Sequence, residues 1–170
     1  MTLKILGAIM VIVGCAGFGL TLVTTSKYEI NTLMQLETAL EYMQWELEYR
    51  LTPLPELFLK ISGYCNGPIK ELFKFAANNM MNETSPNAEG CLLDAALQIK
   101  HLPKQTYMCI VTLGKTLGEY DLNGQINGIQ AVKRECDQVL KSLTQNKDVR
   151  FRSYKTLGLC AGAAIALLFI

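Results

Sequence analysis

His101 is the sole histidine of this 170-residue chain, and it stands beside a corner proline, Pro103, with no carboxylate or cysteine pattern near it. Without a second histidine or a serine elbow it assembles no triad, so it reads as a solvated loop residue. Gly114-Lys115-Thr116 has the ending of a phosphate-binding loop, but that loop needs a glycine five residues before its Gly-Lys pair, and Cys109 stands there. Six cysteines (Cys15, Cys65, Cys91, Cys109, Cys136 and Cys160) include no CxxC and no Cys/His cluster, which argues against a zinc site. They fall within apolar patterns, where free cysteine behaves as a small hydrophobe, and a reducing compartment fits them. Glu89 and Asp94 read as acids placed in the first turns of a helix. Glu37, Glu41, Glu46, Glu48 and Glu56 make one region acidic, either a solvated face or a docking surface for a basic partner, with the solvated face the simpler reading.

Leu113–Gln125, LGKTLGEYDLNGQ, carries more information. Gly118 can supply a left-handed helix stop and Asp121 can cap the helix after it, which makes a tight corner. Gly114 lies inside the preceding helix, where glycine costs about 1 kcal/mol against alanine. A close approach of another helix at Gly114 would account for it.

The elements that position these residues are helical. Leu33, Leu36, Leu40, Met43 and Leu47 recur at 3,4,3,4 spacing, one stripe of an amphipathic helix. Thr52-Pro53-Leu54-Pro55 ends that helix by Leu51 or Thr52, because proline disfavours the α conformation in the residue before it. Thr52 can cap the next helix, and Pro53 and Pro55 fall in its first turn, where the missing N–H is harmless. Further helices are expected over Pro53–Ser62, Pro68–Met81, Glu89–Lys100 and Pro103–Leu117, with a break at Gly63–Gly67, a loop over Asn82–Ala88 and a corner at His101-Leu102-Pro103. A long last helix from Asp121 reaches towards Lys155. Its stripe Ile129, Val132, Cys136, Val139 and Leu143 is expected to pack antiparallel against Leu33–Leu51, seam to seam. No period-2 strand pattern competes.

Half of the residues are hydrophobic and the formal net charge is +1, a balance that argues against a nucleic-acid binder. Ile5–Val23 is a nineteen-residue run without a charge, long enough to cross a bilayer core of about 30 Å. Thr156–Ile170 is also uncharged but only fifteen residues long, a span if the bilayer thins or Tyr154 and Lys155 sit at the interface. Gly158, Gly162 and Ala166 recur every four residues along it, a groove through which a second helix can approach, and Cys15 and Gly19 of the first run are a matching pair. Lys27 follows the first run, and Lys147, Arg150, Arg152 and Lys155 precede the second, so the middle of the chain is expected in the cytoplasm with both ends outside. The competing reading is a lipoprotein signal with Cys15 acylated and the helical domain facing outward. A single lysine before the apolar run, and its continuation past Cys15, weigh against that.

Three segments together resemble the stage III sporulation protein AB family: Glu46-x-x-Tyr49-x-x-Thr52-Pro53-Leu54; Leu113-Gly114-x-Thr116-Leu117-Gly118-x-x-Asp121-x-x-x-Gln125; and Tyr154-Lys155-Thr156-Leu157-Gly158 before an apolar tail. Leu3-Lys4-x-Leu6-Gly7 matches as well, so the resemblance runs from end to end. The family usually has an acid at the position of Lys115 and a glycine at that of Arg50. The resemblance implies a membrane component of the channel complex joining the mother cell of an endospore-former to the engulfed forespore. It also implies a soluble part similar to the cytoplasmic helical domain of the type II secretion platform (F family). Glu46, Tyr49, Thr52, Pro53, Gly114, Leu117, Gly118, Asp121 and Gln125 are then the partner or structural motif.

The resulting expectation is an all-α antiparallel bundle over 26–153, flanked by transmembrane helices at 1–25 and 154–170, that acts as a scaffold and not an enzyme. It needs no cofactor, metal, nucleic acid or small-molecule substrate. Its partners are the lipid bilayer, other membrane proteins of the channel complex and a cytoplasmic ATPase.

Overall fold

A computed structural model describes residues 2–82, 87–117 and 121–169, with side chains over 25–82, 87–117 and 121–145. All regular structure in it is helical: α1 (Thr2–Tyr49), α2 (Leu54–Tyr64), α3 (Gly67–Met81), α4 (Ala88–Gln98), α5 (Lys104–Thr116) and α6 (Leu122–Phe169). The chain divides into two compact units, one of Met1–Tyr28 with Ser142–Ile170 and one of Glu29–Lys141. The second is an antiparallel helical bundle. Among the described residues no helix is long and apolar enough to cross a membrane. The two expected spans, Ile5–Val23 and Thr156–Ile170, with Gly158, Gly162 and Ala166, lie outside the residues whose side chains are described.

The α1 stripe Leu33, Leu36, Leu40, Met43 and Leu47 is wholly buried. Buried with it are Leu57, Phe58 and Ile61 of α2, Ile69, Leu72 and Phe73 of α3, Leu92 of α4, and Ile110 and Leu113 of α5. Phe58 and Phe73 meet with ring centroids 5.4 Å apart, a tilted pair joining α2 to α3. On α6, Ile129, Val132 and Cys136 are buried and Val139 and Leu143 half-buried. Lys133 of α6 reaches Glu41 of α1, so the two long helices are neighbours, while Cys136 lies beside Cys109 of α5. The α6 stripe therefore serves α5 as well as the α1 side of the bundle.

The corners depart from the sequence reading in instructive ways. α1 ends at Tyr49, and Leu51 takes a left-handed φ of 52° as the chain turns. His101 does the same at 65° after α4, exposed to solvent. Thr52 does not cap α2: the N-cap is Pro53, without a side-chain hydrogen bond, and the Thr52 hydroxyl is turned the other way. Asn87 caps α4 by accepting from the Gly90 N–H at 2.8 Å, so that helix opens one residue earlier than its acids indicate.

Candidate functional site at the first helical corner

Glu46 lies three residues after Met43 and one before Leu47, so helical geometry brings it to the edge of the buried stripe. Its side chain is 0 % exposed. This corrects the reading of Glu46 as one of five acids on a solvated face. Glu41, Glu48 and Glu56 are exposed as that reading expects, and Glu37 is half-buried.

A buried carboxylate is costly unless it is paired and hydrogen-bonded. Here both oxygens are engaged. The Tyr42 hydroxyl donates to Oε1 at 2.8 Å, and Arg50 approaches the same oxygen at 3.4 Å. The Thr52 hydroxyl donates to Oε2 at 2.5 Å, and Lys60 of α2 reaches that oxygen at 3.4 Å. Thr52 stands one residue before the N-cap Pro53, and its hydroxyl is oriented towards this buried charged acceptor and away from the N–H groups of α2, so it is not a cap. The Thr52 hydrogen bond is the main cause holding the Glu46 carboxyl below its usual range; burial opposes the shift, and Tyr42 and Lys60 reinforce it. Lys60 also bridges Glu56 at 3.1 Å, and chiefly through that contact its ammonium is held above its ordinary range. The Tyr42 hydroxyl is pushed well up, by burial first and then by Glu46.

This knot ties the last turn of α1, the corner and the middle of α2 into one body. Lower on the same helices, the Cys65 thiol donates to the Gln35 carbonyl at 3.7 Å, and the Asn66 N–H donates to Gln35 Oε1 at 3.0 Å. Burial pushes the Cys65 thiol up to about 11, so it is inert as a nucleophile near neutral pH. A carboxylate held charged with both oxygens occupied is likewise no general acid. The arrangement sets angles; it does no chemistry.

Around the knot lies an exposed aromatic row. Tyr42 stacks near Tyr64 (centroids 4.5 Å) and Trp45 (6.3 Å), and Trp45 near Tyr49 (6.1 Å). The Arg50 guanidinium sits 4.9 Å from the centre of the Trp45 ring. Tyr49 is 69 % exposed and takes no part in the hydrogen bonds to Glu46, whereas Pro53 follows Thr52 directly as the α2 N-cap.

Gly114, Leu117, Asp121 and Gln125 belong to a second corner, between α5 and α6. A Cβ on Gly114 would lie 3.2 Å from the Glu89 Cα, so α4 and α5 touch backbone to backbone there. Leu117 is buried. Asp121 accepts from the Gly124 N–H at 2.9 Å, its carbonyl accepts from the Gln125 N–H at 2.9 Å, and Gly118 lies outside the described residues. Sequence reasoning missed Lys60, Tyr42 and Trp45, and it missed Gly128. The one available signal was an acid at the edge of the stripe, Glu46, which calls for a cation elsewhere in the fold. Among the described residues no group of His, Cys, Asp and Glu could hold a metal.

A match to the family described as stage III sporulation protein AB covers residues 4–170. The chain belongs to that family. It is 24 % identical over 171 residues to stage III sporulation protein AB of Bacillus subtilis (strain 168), covering 99 % of each chain. A solved structure of a stage III sporulation protein AB (SpoIIIAB) shares the fold, with a TM-score of 0.61 at 21 % identity over 69 % of this chain and 94 % of the other.

Proposed function

We propose that this chain is a membrane scaffold of the channel complex that joins mother cell and forespore during sporulation, and not an enzyme. Membership of the stage III sporulation protein AB family across residues 4–170 is the observation that carries this reading. In it, 1–25 and 154–170 span the mother-cell membrane, 26–153 stands in the cytoplasm, and the complex's other membrane proteins and a cytoplasmic ATPase are its partners. Support for the spans comes from the two uncharged terminal runs and from the basic residues on their inner flanks. Support for a scaffold comes from a corner whose polar groups are all spent on holding helices at fixed angles. The Gly158, Gly162 and Ala166 groove would receive the first span or a channel partner.

Deletion of the gene in its endospore-former, with complementation by a tagged copy, tests the function. Spore counts should fall on deletion and recover with the tagged chain, which should co-purify with channel-complex proteins from detergent-solubilised membranes. Normal spore counts after deletion would refute it. Labelling of a cysteine placed at 82 by an impermeant reagent from outside would refute the orientation.

A further inference from the structure

We infer that the outer face of the last turns of α1 docks an arginine- or lysine-bearing segment of a soluble protein, whose cation seats against Trp45 and Tyr49 between Glu41 and Glu48. On a helix, residues three and four apart are neighbours, so Glu41 lies one turn before Trp45 and Glu48 one turn after it. Trp45, Tyr49 and Tyr64 are among the exposed large side chains of the bundle, and Trp, Tyr and Arg are the residues in which binding energy concentrates at interfaces. Two observations select a cation as the occupant, and a third concerns where on the bundle it seats.

The first is Arg50. Its guanidinium lies 4.9 Å from the Trp45 ring centre, so the ring face already receives a cation of the proposed kind from within the chain. The second is charge. Lys27–Lys60 carries six acids against three bases. Lys133 pairs with Glu41, whereas Glu48 is exposed and has no ion-pair partner among the described residues. The third is place. Twenty residues of α1 separate Glu29 from Tyr49, about 30 Å of helix. α6 runs antiparallel to α1, with Lys133 beside Glu41, so Glu29 and Lys141 leave the bundle at one end and the aromatic row stands towards the other. The aromatic row is thus set away from both chain exits of the bundle. That the partner is cytoplasmic rests on the scaffold function; the cation-binding chemistry does not.

Trp45 is the sole tryptophan, so its emission reports the site directly. The full chain in an uncharged detergent would be titrated with a nona-arginine peptide, with a proline decamer and a nona-aspartate peptide as controls. Nona-arginine should shift Trp45 emission saturably, and added salt should weaken the binding. Glu48→Lys and Tyr49→Ala, each with an unchanged melting curve, should each weaken it about tenfold. Arg50→Ala, which removes the internal competitor, should leave it as tight or tighter. Binding unchanged by Glu48→Lys and by Tyr49→Ala, or binding of the proline decamer in place of nona-arginine, would overturn the inference. In cells, normal spore counts with Tyr49→Ala plus Glu48→Lys would sink the docking face and leave the scaffold function standing. Loss of spores on deletion tests the scaffold alone.

Discussion

Gly128 of α6 lies so close to Thr116 at the end of α5 that a Cβ added there would sit 2.6 Å from the Thr116 Cβ. No side chain fits at that distance, so Gly128→Ala must push the two helices apart. Overpacking of this kind costs about 1–3 kcal/mol. Replacing Thr116 by glycine removes the obstructing atoms, so Gly128→Ala with Thr116→Gly should recover part of the loss in a thermal melt followed by far-UV circular dichroism. Equal melting of Gly128→Ala and the parent chain would show that the corner yields freely.

The Glu46 carboxyl, held below its usual range first by Thr52, links stability to pH. As pH falls through the ordinary carboxylate range, the unfolded chain takes up this proton before the folded one does. Stability contributed by Glu46 is therefore complete above that range and lost as pH drops through the depressed folded value. Glu46→Gln should be less stable at neutral pH, since Thr52, Lys60 and Arg50 lose their carboxylate, and its stability should fall less steeply on acidification. Urea midpoints at several pH values check both; parallel pH profiles for the two chains would contradict the linkage.

Periodicity made most of the bundle legible before any coordinates. The five-residue stripe of α1 is buried throughout, and the helices at Leu54, Gly67, Lys104 and Leu122 begin within a residue or two of their proline and aspartate signals. Glu46 was misplaced because a carboxylate at the edge of a stripe has two outcomes, exposure or pairing. The deciding partner, Lys60, stands fourteen residues away across a corner. Local spacing holds no information about such a contact. Thr52 is not a cap for a related reason: its hydroxyl is turned to Glu46, six residues back across the corner, and the N-cap position falls on Pro53. Gly114 is recognisable as a glycine inside a helix, and the same signal is present at Gly128, well inside α6, though the sequence does not say that its neighbour is Thr116.

The core and the surface should answer differently to the same truncation. Leu40 is wholly buried on the α1 stripe, and Leu40→Ala should cost about 2–5 kcal/mol. Leu97, 74 % exposed on α4, loses almost no burial, and Leu97→Ala should stay within about 0.5 kcal/mol of the parent. Denaturant midpoints for both, at constant slope, make the comparison. Matching losses would mean that Leu97 is covered in the folded protein.

Leu51 offers a sharper test of the corner because its strain is in the backbone. Its φ of 52° lies in the left-handed region, which costs a residue with a Cβ about 1–2 kcal/mol, and its side chain is 65 % exposed, so little packing offsets that cost. Glycine relieves the strain but frees the unfolded chain, a loss of about 0.4–1 kcal/mol. Leu51→Gly should therefore be neutral or more stable by up to about 1.5 kcal/mol. Valine has the opposite effect: branching at Cβ crowds the left-handed conformation further, so Leu51→Val should be the less stable of the pair. The neighbouring knot supplies the control. Thr52→Val keeps shape and removes only the hydroxyl from Glu46, and loss of a hydrogen bond to a charged group costs about 1.5–3 kcal/mol. If Leu51→Gly melts well below Leu51→Val, the corner is held by the leucine side chain and not by the turn and the knot beside it.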